Sequence, residues 1–297
     1  MSGISSRDVI GCPLEIVCVR SNKGPLGETI GIGTGCSYWG GLRANGQGMM
    51  SVAPIVAGLV TLLICLCSAR LGAALRVIDT PDDQRKHHKL PTPLIGGLAV
   101  IVPVVIFCLV QVGLGTDVGI HAVVAGAGLV TFLVGFADDR YDLRPSLRLF
   151  ATLVIFEVVI VTFDPVAVRY LRFASVDWTF HLGGWGTPFT LLALIGFVYA
   201  FNMMDGINGL AISSALTWCG LLLATAGQGV TWLLLCLIAG LVVTLGFNMK
   251  ERLFLGDSGS YSLGTLIGVL CIYSYNSSPS LGAETIVVWL LIPVVDC

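Results

Sequence analysis

The residues best suited to chemistry in this chain are acidic and sit in short polar runs between long apolar ones. Asp138-Asp139-Arg140-Tyr141-Asp142 sets two carboxylates side by side. Adjacent carboxylates raise each other's pKa unless a cation neutralises them, so a purely structural role seldom needs the pair. Asn202-Met203-Met204-Asp205-Gly206-Ile207-Asn208-Gly209 places Asn202, Asp205 and Asn208 three residues apart, on one side if the turn is helical. Amides and acceptors so spaced suit a base, a ribose or a sugar. Phe254-Leu255-Gly256-Asp257-Ser258-Gly259-Ser260 puts a carboxylate where a helix should start. There it is either an N-cap or a Mg²⁺ ligand beside backbone N–H groups that attract phosphate. Arg85-Lys86-His87-His88-Lys89-Leu90-Pro91-Thr92-Pro93-Leu94-Ile95-Gly96-Gly97 crowds cations ahead of two glycines. That run is a membrane-edge anchor or a phosphate-binding loop. Carboxylates with Mg²⁺ and Lys or Arg are the usual parts of phosphoryl transfer, in which cations neutralise phosphate oxygens and an Asp orients or deprotonates the nucleophile.

What positions these runs is apolar chain. Of 297 residues, 55% are apolar and only 11% charged, where soluble domains carry about 25% charged residues. Lipid is therefore the expected solvent. The net charge of −2, with no clustered Lys and Arg on a patterned face, excludes a nucleic-acid partner. A spanning helix takes about 20 apolar residues. Spans are expected near 51–74, 94–114, 119–137, 147–163, 188–203, 208–226, 229–247 and 258–275, with a ninth from 284. The runs are too long and uniform for barrel strands. The expected fold is thus an all-α, polytopic transmembrane helical bundle of about nine spans. Cys65, Cys67, Cys108, Cys219, Cys236, Cys271 and Cys297 fall inside apolar runs with no zinc spacing, so they read as small buried hydrophobes. Residues 1–48 are Gly-rich and weakly patterned. They are expected to be a disordered or artefactual extension ahead of Met49-Met50, with 49–297 as the transmembrane domain.

Orientation follows Lys and Arg. Arg76, Arg85, Lys86, Lys89, Arg140, Arg144, Arg148, Lys250 and Arg252 lie after spans one, three and seven, whereas the opposite connections hold only Arg169 and Arg172. The basic connections are expected to be cytoplasmic. All four motifs follow odd-numbered spans, so all four are expected on that same face, whatever they contain. His121 and His181 fall toward the other side. Ion-coupled transport is a competing use of intramembrane carboxylates, but it would favour acids near the bilayer midplane and an inverted repeat.

The motifs D-D-R-Y-D, N-M-M-D-G-I-N-G-L and F-L-G-D-S-G-S, with K-H-H-K-L-P-T-P-L-I-G-G, together resemble the polyprenyl-phosphate N-acetylhexosamine-1-phosphate transferases (glycosyltransferase family 4) over roughly residues 76–297. The resemblance is nearest to the undecaprenyl-phosphate GlcNAc-1-phosphate branch. The phospho-MurNAc-pentapeptide transferases are the alternative, and an inactive fragment a further one. It implies transfer of a sugar 1-phosphate from a UDP-sugar to undecaprenyl phosphate, giving UMP and a lipid-linked pyrophosphoryl sugar for an envelope polymer such as lipopolysaccharide or teichoic acid. It implies Mg²⁺, with Mn²⁺ as a substitute, a bacterial inner-membrane location, and leaves a homodimer open. By the same resemblance Asp138 and Asp139 match the catalytic pair, without saying which acts on the lipid phosphate, and Asp257 matches the metal ligand. Lys86, His88, Lys89, Arg140, Arg148, Asn202, Asp205, Asn208 and Phe254 match substrate contacts. Asn208 stands where an Asp is common. The family's His-rich loop would follow Ile292-Pro293-Val294-Val295-Asp296, so the coding sequence is expected to continue past Cys297.

Overall fold

The structure is a computed structural model that describes residues 37–79, 91–225, 228–279 and 281–296. The chain divides after Leu42, and the fold below belongs to the unit Arg43–Cys297. Helices α1 (Ser37–Leu66) and α2 (Ser68–Leu75) meet at a 65° bend. They are followed by α3 (Gly96–Gly113), α4 (Val118–Tyr141) and α5 (Pro145–Thr162), and then by α6 (Gly186–Met204). The remaining helices are α7 (Leu210–Thr225), α8 (Thr231–Asn248), α9 (Gly256–Ser277) and α10 (Ala283–Asp296). Two small antiparallel pairs complete the fold: β1 (Ile78–Asp79) with β2 (Thr92–Pro93), and β3 (Tyr170–Phe173) with β4 (Trp178–His181).

Burial explains the layering. Large apolar side chains point outward from the rim of the bundle, among them Leu59, Leu63 and Leu66 on α1, Leu109 on α3, and Phe150 and Val161 on α5. In water such a surface would drive aggregation, whereas in lipid it is the solvated face. Helix α9 is the opposite case. Nearly all its residues are buried, and it packs against α3, α4, α6 and α7. Glycines set these distances: at Gly128 an added Cβ would crowd Leu266, and at Gly268 it would crowd Leu194.

The structure supports the expected span number in part. Among the described residues five helices are long and apolar enough to cross a membrane by length and composition, or six if the bent α1–α2 pair counts as one. Helix α7, at 16 residues, and α10, at 14, are short. Helix α9 is 22 residues long but carries Ser258, Ser260 and Ser262 in its first turns. Hydropathy expects a span to face lipid. A helix wrapped in other helices need not, so its sequence is free to be more polar.

Both ends of α9 are held by side chains from earlier in the chain. At its C-terminus the Arg172 guanidinium of β3 faces the carbonyls of Tyr275, Ser278 and Leu281, with Nη2 at 3.2, 2.6 and 2.7 Å. The Arg172 backbone N–H donates to the Tyr275 hydroxyl at 2.6 Å. A cation at a helix C-terminus also complements the helix dipole. The N-terminus of α9 is held by a carboxylate, and that contact belongs to the candidate site.

Candidate active site

The helices alternate in direction, which brings the C-terminal ends of α4, α6 and α8 together with the N-terminal ends of α3, α5 and α9. Hydrogen bonds record this convergence. Gly96 and Gly97 donate from their backbone N–H groups to the carbonyls of Phe254 and Leu255 at 2.9 and 3.1 Å, and the Phe254 N–H donates to the Pro93 carbonyl at 3.0 Å. The segment 92–97 and the segment 253–256 are therefore stitched backbone to backbone. Gly97 makes this close approach feasible, since a Cβ there would strike the Gly259 backbone.

Asp138 and Asp139 are consecutive on α4, so their side chains leave the helix about 100° apart and do different things. Asp138 is buried. Its Oδ2 pairs with Nη1 of Arg148 from α5, and its Oδ1 accepts the Leu143 backbone N–H at 2.9 Å. Asp139 turns to α9. Its Oδ1 accepts the Asp257 backbone N–H at 2.8 Å and its Oδ2 accepts the Ser258 N–H at 2.9 Å. Asp139 is thus an N-cap supplied from another helix, filling two of the donors that a helix start leaves open.

Asp257 enters the cluster with its side chain free of that cap. Its Oδ1 accepts from Asn202 Nδ2 at 2.8 Å, and its Oδ2 lies 3.7 Å from Arg148 Nη1. The same Asn202 amide donates to the Ser260 hydroxyl at 2.7 Å. Asp205 caps the C-terminal end of α6. Burial pushes its carboxyl well above the usual carboxylate range, and the charges of Asp257 and Asp139 add to the shift. Four carboxylates therefore share one region with the Arg148 guanidinium. Among the described residues the buried Nε of Arg148 has no acceptor.

Other residues singled out from the sequence lie elsewhere. Arg140 Nη1 donates to the Leu75 carbonyl at 2.9 Å, closing the end of α2, and its guanidinium sits over the Tyr141 ring. Asn208 is exposed, with Nδ2 3.4 Å from Glu251 Oε1. Phe254 is half-buried at the segment joined to 92–97. Lys86, His88 and Lys89 lie outside the described residues. Sequence reasoning passed over Asn248. This buried residue accepts the Gly209 N–H at 2.6 Å and donates to the Leu253 carbonyl at 3.1 Å. It ties the turn after α6 to the approach to Asp257. Its signal was slight, a single amide ending the apolar run of α8. Gly135 was also missed, though a Cβ on it would collide with the Asp257 carbonyl and crowd Ser258.

Gly135→Ala is therefore expected to push α4 from α9 and to lower stability by about 1–3 kcal/mol, as overpacked cores do. Gly126→Ala, on the same helix with open space around it, should leave the unfolding midpoint unchanged. Equal midpoints for the two variants would deny the close contact at Gly135.

Residues 121–275 match the sequence profile of glycosyl transferase family 4. This segment runs from α4 to α9 and contains Asp138, Asp139, Arg148, Asn202, Asp205 and Asp257. A Bacillus subtilis (strain 168) protein named "Probable undecaprenyl-phosphate N-acetylglucosaminyl 1-phosphate transferase" is 30% identical over 254 residues, which is 82% of this chain and 69% of the relative. The chain belongs to glycosyl transferase family 4. Two other relatives are named undecaprenyl-phosphate alpha-N-acetylglucosaminyl 1-phosphate transferase. The Yersinia pestis protein is 27% identical over 83% of this chain and 69% of its own length. The Escherichia coli (strain K12) protein is 27% identical over 80% of this chain and 66% of its own length.

Among the described residues no three His, Cys, Asp or Glu side chains form a ready metal cage. The donor set fits Mg²⁺ in its usual mode, since that ion is commonly held by one or two carboxylates and completed by water and substrate phosphate. Asp257 presents a carboxylate to a region where acids outnumber cations among the described residues.

Proposed function

We propose that this family member transfers N-acetylhexosamine 1-phosphate, GlcNAc 1-phosphate in the first instance, from a UDP-sugar to undecaprenyl phosphate. The observation that supports this most is the constellation around Asp257: a carboxylate oriented by Asn202, facing an arginine whose Nε is unused among the described residues, at the end of a lipid-facing bundle. Lipid-facing walls suit a lipid acceptor, and the acids with Arg148 suit a diphosphate. The names of the relatives agree with the lipid acceptor.

In this reading an oxygen of the lipid phosphate attacks the phosphorus bonded to the sugar, and the bond from that phosphorus to the bridging oxygen breaks. The products are UMP and a lipid-linked pyrophosphoryl sugar. Arg148 neutralises phosphate charge beside Asp257 and, through its ion pair, holds Asp138 in place. Asp138 orients the attacking phosphate and takes up its proton where one is present. Asn202 fixes the rotamer of Asp257, and Asp205 meets the nucleotide-sugar. Mg²⁺, with Asp257 as its ligand, would supply neutralisation of the diphosphate charge. The excess of Lys and Arg in the connections at this end argues for a cytoplasmic site in a bacterial inner membrane.

Membranes carrying the full chain, given undecaprenyl phosphate, UDP-GlcNAc and Mg²⁺, are expected to release UMP, and chelation with EDTA is expected to stop it. Parallel reactions with UDP-GalNAc and UDP-MurNAc-pentapeptide identify the donor. Absence of UMP with every one of these donors would overturn the assignment.

A further inference from the structure

A cavity lies at the same end of the bundle but outside the carboxylate cluster. It has a volume of about 510 Å³ and opens between the α1–α2 bend, strand β2 and the segment after α8. Its lining includes apolar Cys65, Leu66 and Phe247 and the cations Lys250 and Arg252. Both cations are exposed, and among the described residues neither makes an ion pair. Glu251 between them also borders the cavity, and its Oε1 lies 3.4 Å from Asn208 Nδ2. Its backbone is left-handed, at φ 54°, which sends the neighbouring side chains out of the path a helix would give them.

The mouth of the cavity continues onto bare helix. Leu59, Leu63 and Leu66 of α1 are 59%, 63% and 65% exposed, and their spacing puts them in one row along the helix. A row of exposed leucines ending at two cations beneath a mixed cavity matches one class of molecule in shape and charge. That molecule has long apolar chains along the row and an anionic phosphate head at the basic wall. A soluble phosphate would use the cations alone and gain nothing from the leucines.

We propose that this cavity is a seat for an anionic phospholipid of the surrounding bilayer, of the phosphatidylglycerol type, with its phosphate on Lys250 and Arg252. Its walls join the site backbone directly. Strand β2 continues into 94–97, and the segment after α8 continues through Phe254 to Asp257. The seated lipid braces both segments from behind. The inference concerns binding by residues apart from the proposed transfer chemistry, so it stands or falls independently of the donor and acceptor.

The test uses the full chain purified with native lipids and examined by native mass spectrometry for retained phosphatidylglycerol, beside the double variant Lys250→Gln/Arg252→Gln. The wild type is expected to retain more phosphatidylglycerol, with affinity falling about fivefold for each cation removed, while retention of phosphatidylcholine is equal in the two proteins. Millimolar inorganic phosphate is expected to leave the bound lipid in place. Equal phosphatidylglycerol retention in both proteins, or its displacement by inorganic phosphate, would overturn the proposal. A second variant, Leu63→Gln/Leu66→Gln, separates the chain contact from the charge contact and should also lower retention.

Discussion

Asp257→Ala is expected to lower UMP release by on the order of a thousandfold or more, the scale set by loss of charge stabilisation at a reacting phosphate, while leaving a folded, inserted protein. The two effects separate because Asp257 holds the structure through its backbone and faces the site with its side chain. The N–H of Asp257 is what Asp139 accepts, and truncation of the side chain leaves that bond in place. The side chain itself gives up one hydrogen bond, from Asn202, worth about 1 kcal/mol. Arg148 keeps its pairing with Asp138. Asp257→Asn extends the test, since it preserves the shape and an acceptor for Asn202 while removing the negative charge. It should be nearly as inactive as the alanine variant. Turnover retained in either protein would remove Asp257 from the metal site.

Asp139 is expected to behave in the opposite way, losing stability along with activity. Its two oxygens close two backbone donors at the start of a buried helix. Asp139→Ala leaves both donors without partners, at about 1–3 kcal/mol each, and removes the cap. Asp139→Asn keeps one acceptor and turns an amide toward the other donor, so its unfolding midpoint should fall between those of wild type and alanine. Thermal unfolding of the three purified proteins, read beside their UMP release, checks the order. Lost activity with an unchanged midpoint would instead make Asp139 a group that acts on substrate directly, and would reassign the pair.

The sequence carried the convergence of the motifs but not the division of labour within them. Spans that alternate in direction bring Asp138, Asn202 and Asp257 to one end by counting alone, and the hydrogen bonds between α4, α6 and α9 bear that out. The membrane side that this end faces rests on Lys and Arg bias, a separate argument. The separation of Asp138 from Asp139 was not legible, because it depends on which neighbour each side chain meets. An acidic residue at a helix start offered Asp257 as a cap for its own helix, whereas the cap comes from 118 residues earlier. Asn248 and Gly135 were hidden for a related reason: an amide or a glycine shows its purpose only when the opposing backbone is known. The span number was met only in part, because hydropathy does not distinguish burial by protein from burial by lipid.

Helix α9 is pinned at one end by Asp139 and at the other by Arg172, and both residues lie upstream of it in the chain. During synthesis, therefore, the carboxylate and the guanidinium emerge before the helix they will hold. A growing chain can present these two anchors as a waiting socket, and α9 can be seated as it leaves the ribosome and insertion machinery. The order of the gene thus doubles as an order of assembly, in which Asp257 follows Asp138, Asp139, Asn202 and Asp205 and its helix is received at both ends.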